Sequence, residues 1–176
     1  MKNVIFFLLL LLSSCASYYD DYGHVVYKEY SFKFNSNYNT YRVLERMPTI
    51  ADTEISYLQK FEINLPKKIK KHMISGGNYI FEFNHNQIIV INAGYSNYNK
   101  KSDIWILKNS DIYESYAFLN GYWKDKDYEK MIIYKADSKN AAKIYTNGEV
   151  KILLFNIRND DFDDYLQTIK SFKYLE

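Results

Sequence analysis

Residues 141–172 read AAKIYTNGEVKILLFNIRNDDFDDYLQTIKSF, and no other stretch of the chain is as informative about the fold. Two β-rich runs, residues 141–146 and 149–157, are separated by Asn147-Gly148, a strong short signal for a β-hairpin. The apolar residues that follow have the i, i+3, i+4, i+7 spacing of an amphipathic helix: Phe162, Tyr165, Leu166, Ile169 and Phe172. The stretch therefore predicts a hairpin followed by a C-terminal helix over about residues 160–174.

Charged residues mark both ends of this helix. Asn159 or Asp160 is the predicted N-cap, and Lys170 and Lys173 lie near the C-terminal end, as the helix dipole favours. The acidic residues at its start are Asp160, Asp161, Asp163 and Asp164. Paired acids could bind calcium or hydrolyse glycosides, but a calcium loop needs oxygen ligands at alternating positions and a glycine turn. The better interpretation is that these carboxylates stabilise the N-terminal end of the helix by interacting with its dipole.

The rest of the chain adds further strands and short helices. Residues 30–34 alternate apolar and polar side chains, and strands are also predicted over 79–83, 87–93 and 130–136. Asn84-His85-Asn86 predicts a tight turn between two of them. Helices are predicted over 52–61, from Pro66 to a stop at Ser75-Gly76-Gly77, and over 110–119. Hairpins followed by a closing helix predict the α+β class, an antiparallel sheet with helices on one face.

Composition excludes several classes of protein. The 176 residues suit a single domain, and no linker or internal repeat divides them. The net charge of +2 is too small to favour nucleic-acid binding, which requires a concentrated basic face. The 19 tyrosines accompany an excess of Asn, Lys and Ile, residues with AT-rich codons, so tyrosine content alone does not indicate a binding surface.

The first fifteen residues carry an export signal. Lys2 precedes an apolar run over residues 4–12, which is about 14 Å long as a helix and too short to span a membrane. This run has the length of a signal-peptide h-region. Leu12-Ser13-Ser14-Cys15 follows it and resembles the lipobox of bacterial lipoproteins, in which an aliphatic and two small residues precede an obligatory cysteine.

The resemblance implies cleavage between Ser14 and Cys15 and a diacylglyceryl thioether on Cys15, which would make membrane lipid a partner of the chain. Two or three acyl chains anchor a protein durably, because each buried CH₂ contributes about 0.8 kcal/mol. The expected organisation is a signal peptide over 1–14, a lipidated N-terminus and tether over 15–24, and one α+β domain over 25–176. Ala16 and Ser17, in place of an aspartate, favour the outer membrane of a diderm cell. The alternative is a plain secreted protein.

Catalytic motifs are missing from the sequence. The histidines His24, His72 and His85 are not paired at helical spacing, and no cysteine remains after lipidation to complete a zinc site or an internal disulfide. Ser75 is not in a nucleophile elbow, and no glycine-rich nucleotide motif occurs. We therefore expect no catalytic residue, no metal ion and no cofactor.

Two surface features are candidates for binding. On the predicted helix after Pro66, the lysines would cover one broad face, either solvated or in contact with anionic headgroups or a partner: Lys67, Lys68, Lys70 and Lys71. Aromatic residues in two predicted loops could stack on sugar rings or simply fill the core: Tyr95, Tyr98, Tyr122 and Trp123.

These observations predict an envelope lipoprotein whose domain is a non-catalytic binding or assembly module for another envelope component, a protein or a glycan. One alternative is an envelope hydrolase whose site forms only in three dimensions from His72 or His85 and the acids at 160–164. Another is a surface lipoprotein that binds glycans through exposed tyrosine and tryptophan.

Overall fold

The computed structural model describes residues 25–26, 30–44, 48–51, 54–57, 59–75, 77–94, 103–125 and 140–176. The predicted signal peptide, Cys15 and the tether lie outside the described residues. So do His24, Tyr95, Tyr98 and the strand predicted over 130–136.

The described part contains thirteen strands and two α-helices. The strands are β1 (Val25–Val26), β2 (Tyr30–Phe34), β3 (Asn39–Val43), β4 (Pro48–Ala51), β5 (Glu54–Tyr57), β6 (Phe61–Leu65), β7 (Lys71–Ser75), β8 (Asn78–Glu82), β9 (Ile88–Asn92), β10 (Ile106–Asn109), β11 (Asn140–Thr146), β12 (Lys151–Arg158) and β13 (Lys173–Tyr174). The helices are α1 (Ile112–Asp125) and α2 (Phe162–Ile169).

The strands form two main antiparallel sheets. The first has the order β1-β2-β3-β6-β13, and the second has the order β10-β11-β12-β9-β8-β7. Strands β4 and β5 form a separate two-stranded hairpin. The α+β class, the antiparallel hairpins and the C-terminal helix are therefore confirmed, with the strands divided between two sheets.

The two sheets pack face to face because apolar side chains alternate along their strands. One buried cluster joins Tyr41 and Ile63 of the first sheet to Phe81, Ile89 and Ile152 of the second. The next residue of each second-sheet strand faces the other way, as the period of two requires. The space between the sheets is the main core.

Helix α1 covers the outer face of the second sheet. Its Leu119 is fully buried in a second cluster that contains Ile80, Val90 and Leu153 from three neighbouring strands. The sequence predicted a helix over 110–119, and α1 extends it to Asp125. Tyr122 and Trp123 therefore lie in a helix, and the loop predicted for residues 121–124 is wrong.

Helix α2 closes the main core, and the stripe predicted from the sequence is confirmed. Tyr165 and Ile169 are buried, and the remaining members of the stripe pack against the same cluster: Phe162, Leu166 and Phe172. The helix ends at Ile169, earlier than about residue 174, because Lys173 and Tyr174 form β13 on the open edge of β6. The predicted N-cap is wrong, because Asn159–Asp161 form a 3₁₀ turn and Asp161 occupies the N-cap position of α2.

A β-bulge in β12 reorients the chain before α2. Ala141 pairs with Ile157 and Lys143 with Leu154, so two residues of β12 face one of β11. Asn156 occupies the bulge with a φ of 55°, and Ile157 consequently returns to the main core. The Asn156 amide donates to the carbonyls of His85 and Asn86, at 3.3 and 3.1 Å, and so holds the β8–β9 turn against the bulge.

Two predicted helices are wrong because strand pairing takes precedence over local spacing. Within the range 52–61, β5 pairs with β4, and Phe61 begins β6. After Pro66, Lys68 has a φ of 62°, which an α-helix does not allow, and residues 71–75 pair with β8. Gly77, with a φ of 77°, lies in the hairpin connection between Ser75 and Asn78 and does not end a helix.

Candidate functional site: a polar cavity beside the C-terminal helix

A cavity of about 540 Å³ lies between the β2–β3 turn, the segment after β6 and helix α2. This volume falls within the range of roughly 300–1,000 Å³ that is usual for small-molecule sites. We call it the polar cavity, and its lining is Asn37, Tyr38, Asn64, Pro66, Lys67, Asp161, Asp164, Tyr165, Gln167 and Thr168.

The β2–β3 turn supplies one wall. Its ends are joined by a hydrogen bond from the Asn35 N–H to the Tyr38 carbonyl at 3.0 Å, which places Ser36 and Asn37 at the tip and Tyr38 beside it. The side chain of Tyr38 is 38% exposed. Lys67 approaches from the segment after β6, and its ammonium donates to the Asn35 carbonyl. The lysine therefore connects the turn to the opposite wall.

Asn64 lies at the base of that wall, near the end of β6. Its backbone N–H donates to the Ser171 Oγ at 2.7 Å, and its side-chain oxygen accepts from the Thr40 Oγ1 at 3.1 Å. These bonds hold the backbone of Asn64 to the segment after α2 and its side-chain amide to β3. Such fixed polar groups favour selective binding, because little rotamer freedom remains to be lost.

Tyr165 connects the cavity with the interior. Its hydroxyl oxygen accepts a hydrogen bond from the buried Gln87 amide at 3.2 Å, and its ring packs edge-on against Phe83. Burial, and secondly the charge of Asp161, raise the pKa of Tyr165 to about 12. The phenol is therefore neutral at physiological pH and retains its proton as a hydrogen-bond donor.

The charges of the lining are mixed. Lys67 contributes one positive charge, and Asp161 and Asp164 contribute two negative charges. Asp161 is also 3.9 Å from the Arg158 guanidinium, on the side of the turn that precedes α2. The lining thus combines an ammonium group, two carboxylates and three amides, and it can donate and accept hydrogen bonds without a large excess of either charge.

The structure brings together two features that the sequence analysis kept separate. Of the four predicted lysines, Lys67 lines the polar cavity, and of the four acids, Asp161 and Asp164 do so. Lys68, Lys70, Asp160 and Asp163 are exposed and are not part of the lining. The premise of one helical lysine face is wrong, because residues 67–70 are irregular and Lys71 begins β7.

His72 belongs to a different environment. It lies in the main core among the rings of Tyr30, Phe32, Tyr41 and Phe81, and its Nε2 is 3.0 Å from the Tyr41 hydroxyl. Burial lowers the pKa of His72 to about 4, so the ring is neutral at physiological pH. We call these five residues the His72 cluster.

The other residues considered for catalysis, His85 and Ser75, do not line the polar cavity. His85 is exposed at the tip of the β8–β9 turn with a φ of 58°, and Ser75 is in a strand. Neither histidine lines the polar cavity. Within the described ranges, no three histidine, cysteine or acidic side chains converge to hold a metal ion.

Sequence reasoning missed the uncharged residues of the lining, namely Asn37, Tyr38, Asn64 and Gln167. The polar run 35–39 marks the end of a strand in the sequence and carries no other pattern. A usable signal was present, because a polar hairpin tip that carries an aromatic residue often contributes to a binding site. The pairing of that tip with α2 depends on the long-range contact between β6 and the C-terminal segment, which no local pattern contains.

Comparison with known proteins gives no match to a protein-family model, to a curated protein or to a solved structure. Among the described residues, no helix has the length and apolar character needed to cross a bilayer.

Proposed function

We propose that this chain is a lipid-anchored lipoprotein of the bacterial envelope whose domain binds another envelope component in the polar cavity without transforming it. The observation that supports binding is the lining itself. It offers amides, carboxylates, an ammonium group and an exposed aromatic ring, and none of its residues is a histidine, cysteine or serine. Such a lining is suited to recognition, and it contains no serine or cysteine nucleophile paired with a histidine base.

The N-terminal sequence supports the anchor. Lys2, the apolar run over 4–12 and the resemblance of residues 12–15 to a lipobox occur in the order that export and lipidation require. Residues 15–24 would then link the acylated cysteine to β1. Ten residues span at most about 35 Å, so the cavity would act close to the membrane that holds the acyl chains.

Lipidation is tested by growing cells with labelled palmitate and by detergent-phase partition. We expect the full-length chain to incorporate label and to enter the detergent phase, and Cys15→Ala to do neither. Ser17→Ala is the matched control, because it changes a neighbouring residue outside the lipobox. Labelling or detergent partition of Cys15→Ala at the normal level would refute the anchor.

Binding is tested with the purified full chain in detergent and with the separated proteins, lipids and glycans of the envelope. The test variant combines Tyr38→Ala and Lys67→Ala. The matched control combines Tyr113→Ala and Lys70→Ala, which removes an exposed aromatic ring and an exposed lysine outside the cavity lining. We expect one fraction to bind the wild-type chain and the control, and to bind the cavity variant at least about tenfold more weakly, a change of roughly 1.4 kcal/mol.

Two outcomes would contradict the proposal. Equal binding by the cavity variant and the control would exclude the cavity as the site, and binding of no fraction would exclude a binding module. If the bound component is recovered chemically changed after incubation, the non-catalytic part of the proposal is wrong and the hydrolase alternative is favoured.

A further inference from the structure

We infer that the component bound in the polar cavity is an uncharged saccharide, built from hexose or N-acetylhexosamine units. This inference rests on the proposed binding function and adds the chemical class of the ligand. Three properties of the cavity lead to it: the balance of charge, the type of polar group and the position of Tyr38.

The charge of the lining argues against ionic ligands. An anion such as a phosphate would approach Lys67, but Asp161 and Asp164 lie in the same lining and repel it. A divalent cation would approach the two carboxylates but would face the ammonium of Lys67, and the described residues provide no third acidic ligand there. A ligand with polar groups and no net charge avoids both penalties.

The polar groups match a ligand rich in hydroxyls. Each sugar hydroxyl both donates and accepts, and neighbouring hydroxyls fit planar side chains that present two polar atoms at once. Asn37, Asn64 and Gln167 each carry an amide with an acceptor and donors, and the two aspartates accept. Tyr165 also lines the cavity, and a buried hydrogen bond from Gln87 holds its hydroxyl in place. A lining of this kind can satisfy several hydroxyls together.

Tyr38 supplies the apolar contact that a sugar ring also requires. The C–H face of a pyranose ring packs on an aromatic face, and Tyr38 presents a partly exposed ring at the rim of the cavity. Its position beside the hairpin tip leaves Tyr38 partly exposed, whereas most tyrosines of the described chain lie in or against the core clusters. This makes Tyr38 the residue on which binding should depend most.

The test is titration of the full chain in detergent with pure oligosaccharides, followed by calorimetry and by chemical-shift mapping. The probes are N-acetylglucosamine oligomers, α-linked and β-linked glucose oligomers, a sulfated glucan, inorganic phosphate and Ca²⁺. We expect at least one uncharged oligosaccharide to bind and to shift resonances of Gln167 and Asn37. We expect phosphate and Ca²⁺ to produce no such shifts, and the sulfated glucan to bind more weakly than its uncharged counterpart.

Matched variants locate the site. Tyr38→Ala should weaken oligosaccharide binding about tenfold, Tyr38→Phe should retain most of it, and Tyr113→Ala should leave it unchanged within about twofold. Asp164→Asn should weaken binding severalfold, whereas Asp163→Asn, one position away on α2 and exposed outside the lining, should not. Equal unfolding midpoints for all variants show that each is folded.

The outcomes separate this inference from the proposed function. If an envelope fraction binds in a Tyr38-dependent way and none of the uncharged oligosaccharides binds, the saccharide inference is overturned and the binding function stands. If neither binds, both are overturned. Binding of phosphate or Ca²⁺ that Asp164→Asn or Lys67→Ala alters would overturn the argument from charge. Equal losses of oligosaccharide affinity in Tyr38→Ala and Tyr113→Ala would exclude the polar cavity as the binding site.

Discussion

The His72 cluster and the polar cavity contain similar residue types, but the cluster is packed in the core and the cavity is open. Both contain tyrosines and a side chain that can carry positive charge. In the His72 cluster, the other four rings lie 4.7 to 5.5 Å from the histidine ring, and its Nε2 is paired with the Tyr41 hydroxyl. In the cavity, Tyr38 and Lys67 border an open space of about 540 Å³.

The difference arises from where the chain presents each residue. The His72 cluster is built from strands β2, β3, β7 and β8, whose inward-facing positions meet between the two sheets. The cavity is built from a hairpin tip, the irregular segment after β6 and one side of α2. Regular strands bury polar groups only in pairs, whereas turns and helix surfaces can leave them available. Polar residues of the cluster should therefore affect stability, and those of the cavity should affect binding.

The largest expected difference is in the free energy of unfolding, when one tyrosine from each region is replaced by alanine. Tyr41 is fully buried and contacts His72, Phe61 and Phe81, so Tyr41→Ala should lower the free energy of unfolding by about 3–5 kcal/mol, the range for loss of a buried aromatic side chain. Tyr38→Ala should change it by less than about 0.5 kcal/mol, because Tyr38 is partly exposed at a turn. Urea denaturation at pH 7 measures both values. A loss of several kcal/mol in Tyr38→Ala would show that the cavity wall is structural.

The second effect is a dependence of stability on pH. His72 has a usual pKa of 6.5 when the chain is unfolded and about 4 when it is folded, so only the unfolded chain binds the proton between these values. The stabilising effect is complete above pH 6.5 and is lost as the pH falls toward 4, by about 3 kcal/mol in total at 1.36 kcal/mol per pH unit. Unfolding free energies at pH 7 and pH 4.5 measure most of this loss.

Two variants test whether His72 is the cause. His72→Phe keeps an aromatic ring in the stack with Phe81 but cannot titrate, so its stability should fall much less between pH 7 and pH 4.5. His85→Gln, at the exposed turn, is the control and should follow the wild type. An unchanged pH dependence in His72→Phe would mean that other groups in the core are responsible.

The sequence predicted the parts of this comparison that depend on local pattern. The hairpin at Asn147-Gly148, the stripe on α2 and the strands around Asn84–Asn86 all follow from periodicity and turn residues, and the structure confirms them. The two wrong helices, over 52–61 and after Pro66, contain apolar residues with ambiguous spacing. These segments are strands because β5 pairs with β4 and β7 pairs with β8. Strand pairing of this kind depends on the rest of the sheet and is not encoded in local spacing.

The candidate site was predictable only in part, for the same reason. Lys67, Asp161 and Asp164 are recognisable as charged features of the sequence, but Lys67 precedes the two acids by more than 90 residues and meets them through the packing of α2 on β6. Tyr38 had no periodic neighbour to mark it. The accompanying excess of Asn, Lys and Ile indicates that the number of tyrosines is not itself a binding signal, so each position must be judged by whether its ring is buried or accessible.

A third prediction concerns Gln87, which holds the Tyr165 hydroxyl behind the polar cavity. It is buried, its amide donates to the Asn84 carbonyl and the Tyr165 hydroxyl, and its oxygen accepts from the Arg158 N–H. Gln87→Leu leaves these groups without their partner and should lower the free energy of unfolding by about 1–3 kcal/mol. Ligand binding should also weaken severalfold, because Tyr165 loses the contact that orients its hydroxyl. Tyr165→Phe is the control for binding, and it should weaken binding while costing less stability than Gln87→Leu.

The smallest effect comes from Glu62, which lies on the outward face of the first sheet. Burial alone would raise the pKa of Glu62, but its contacts with Lys173, at 3.0 Å, and with Arg42 lower that pKa below its usual value of 4.5. Its contribution is therefore present above pH 4.5 and is lost only as the pH falls through the lower, folded-state value. Because Lys173 and Arg42 are largely exposed, Glu62→Gln should cost no more than about 1 kcal/mol at pH 7, and less in high salt.

Between pH 6.5 and 4.5 the variant should lose stability in parallel with the wild type, which distinguishes the titration of His72 from that of the carboxylates. A flatter profile for Glu62→Gln in this range would assign part of the acid sensitivity to the surface ion pairs and reduce the share that belongs to the His72 cluster.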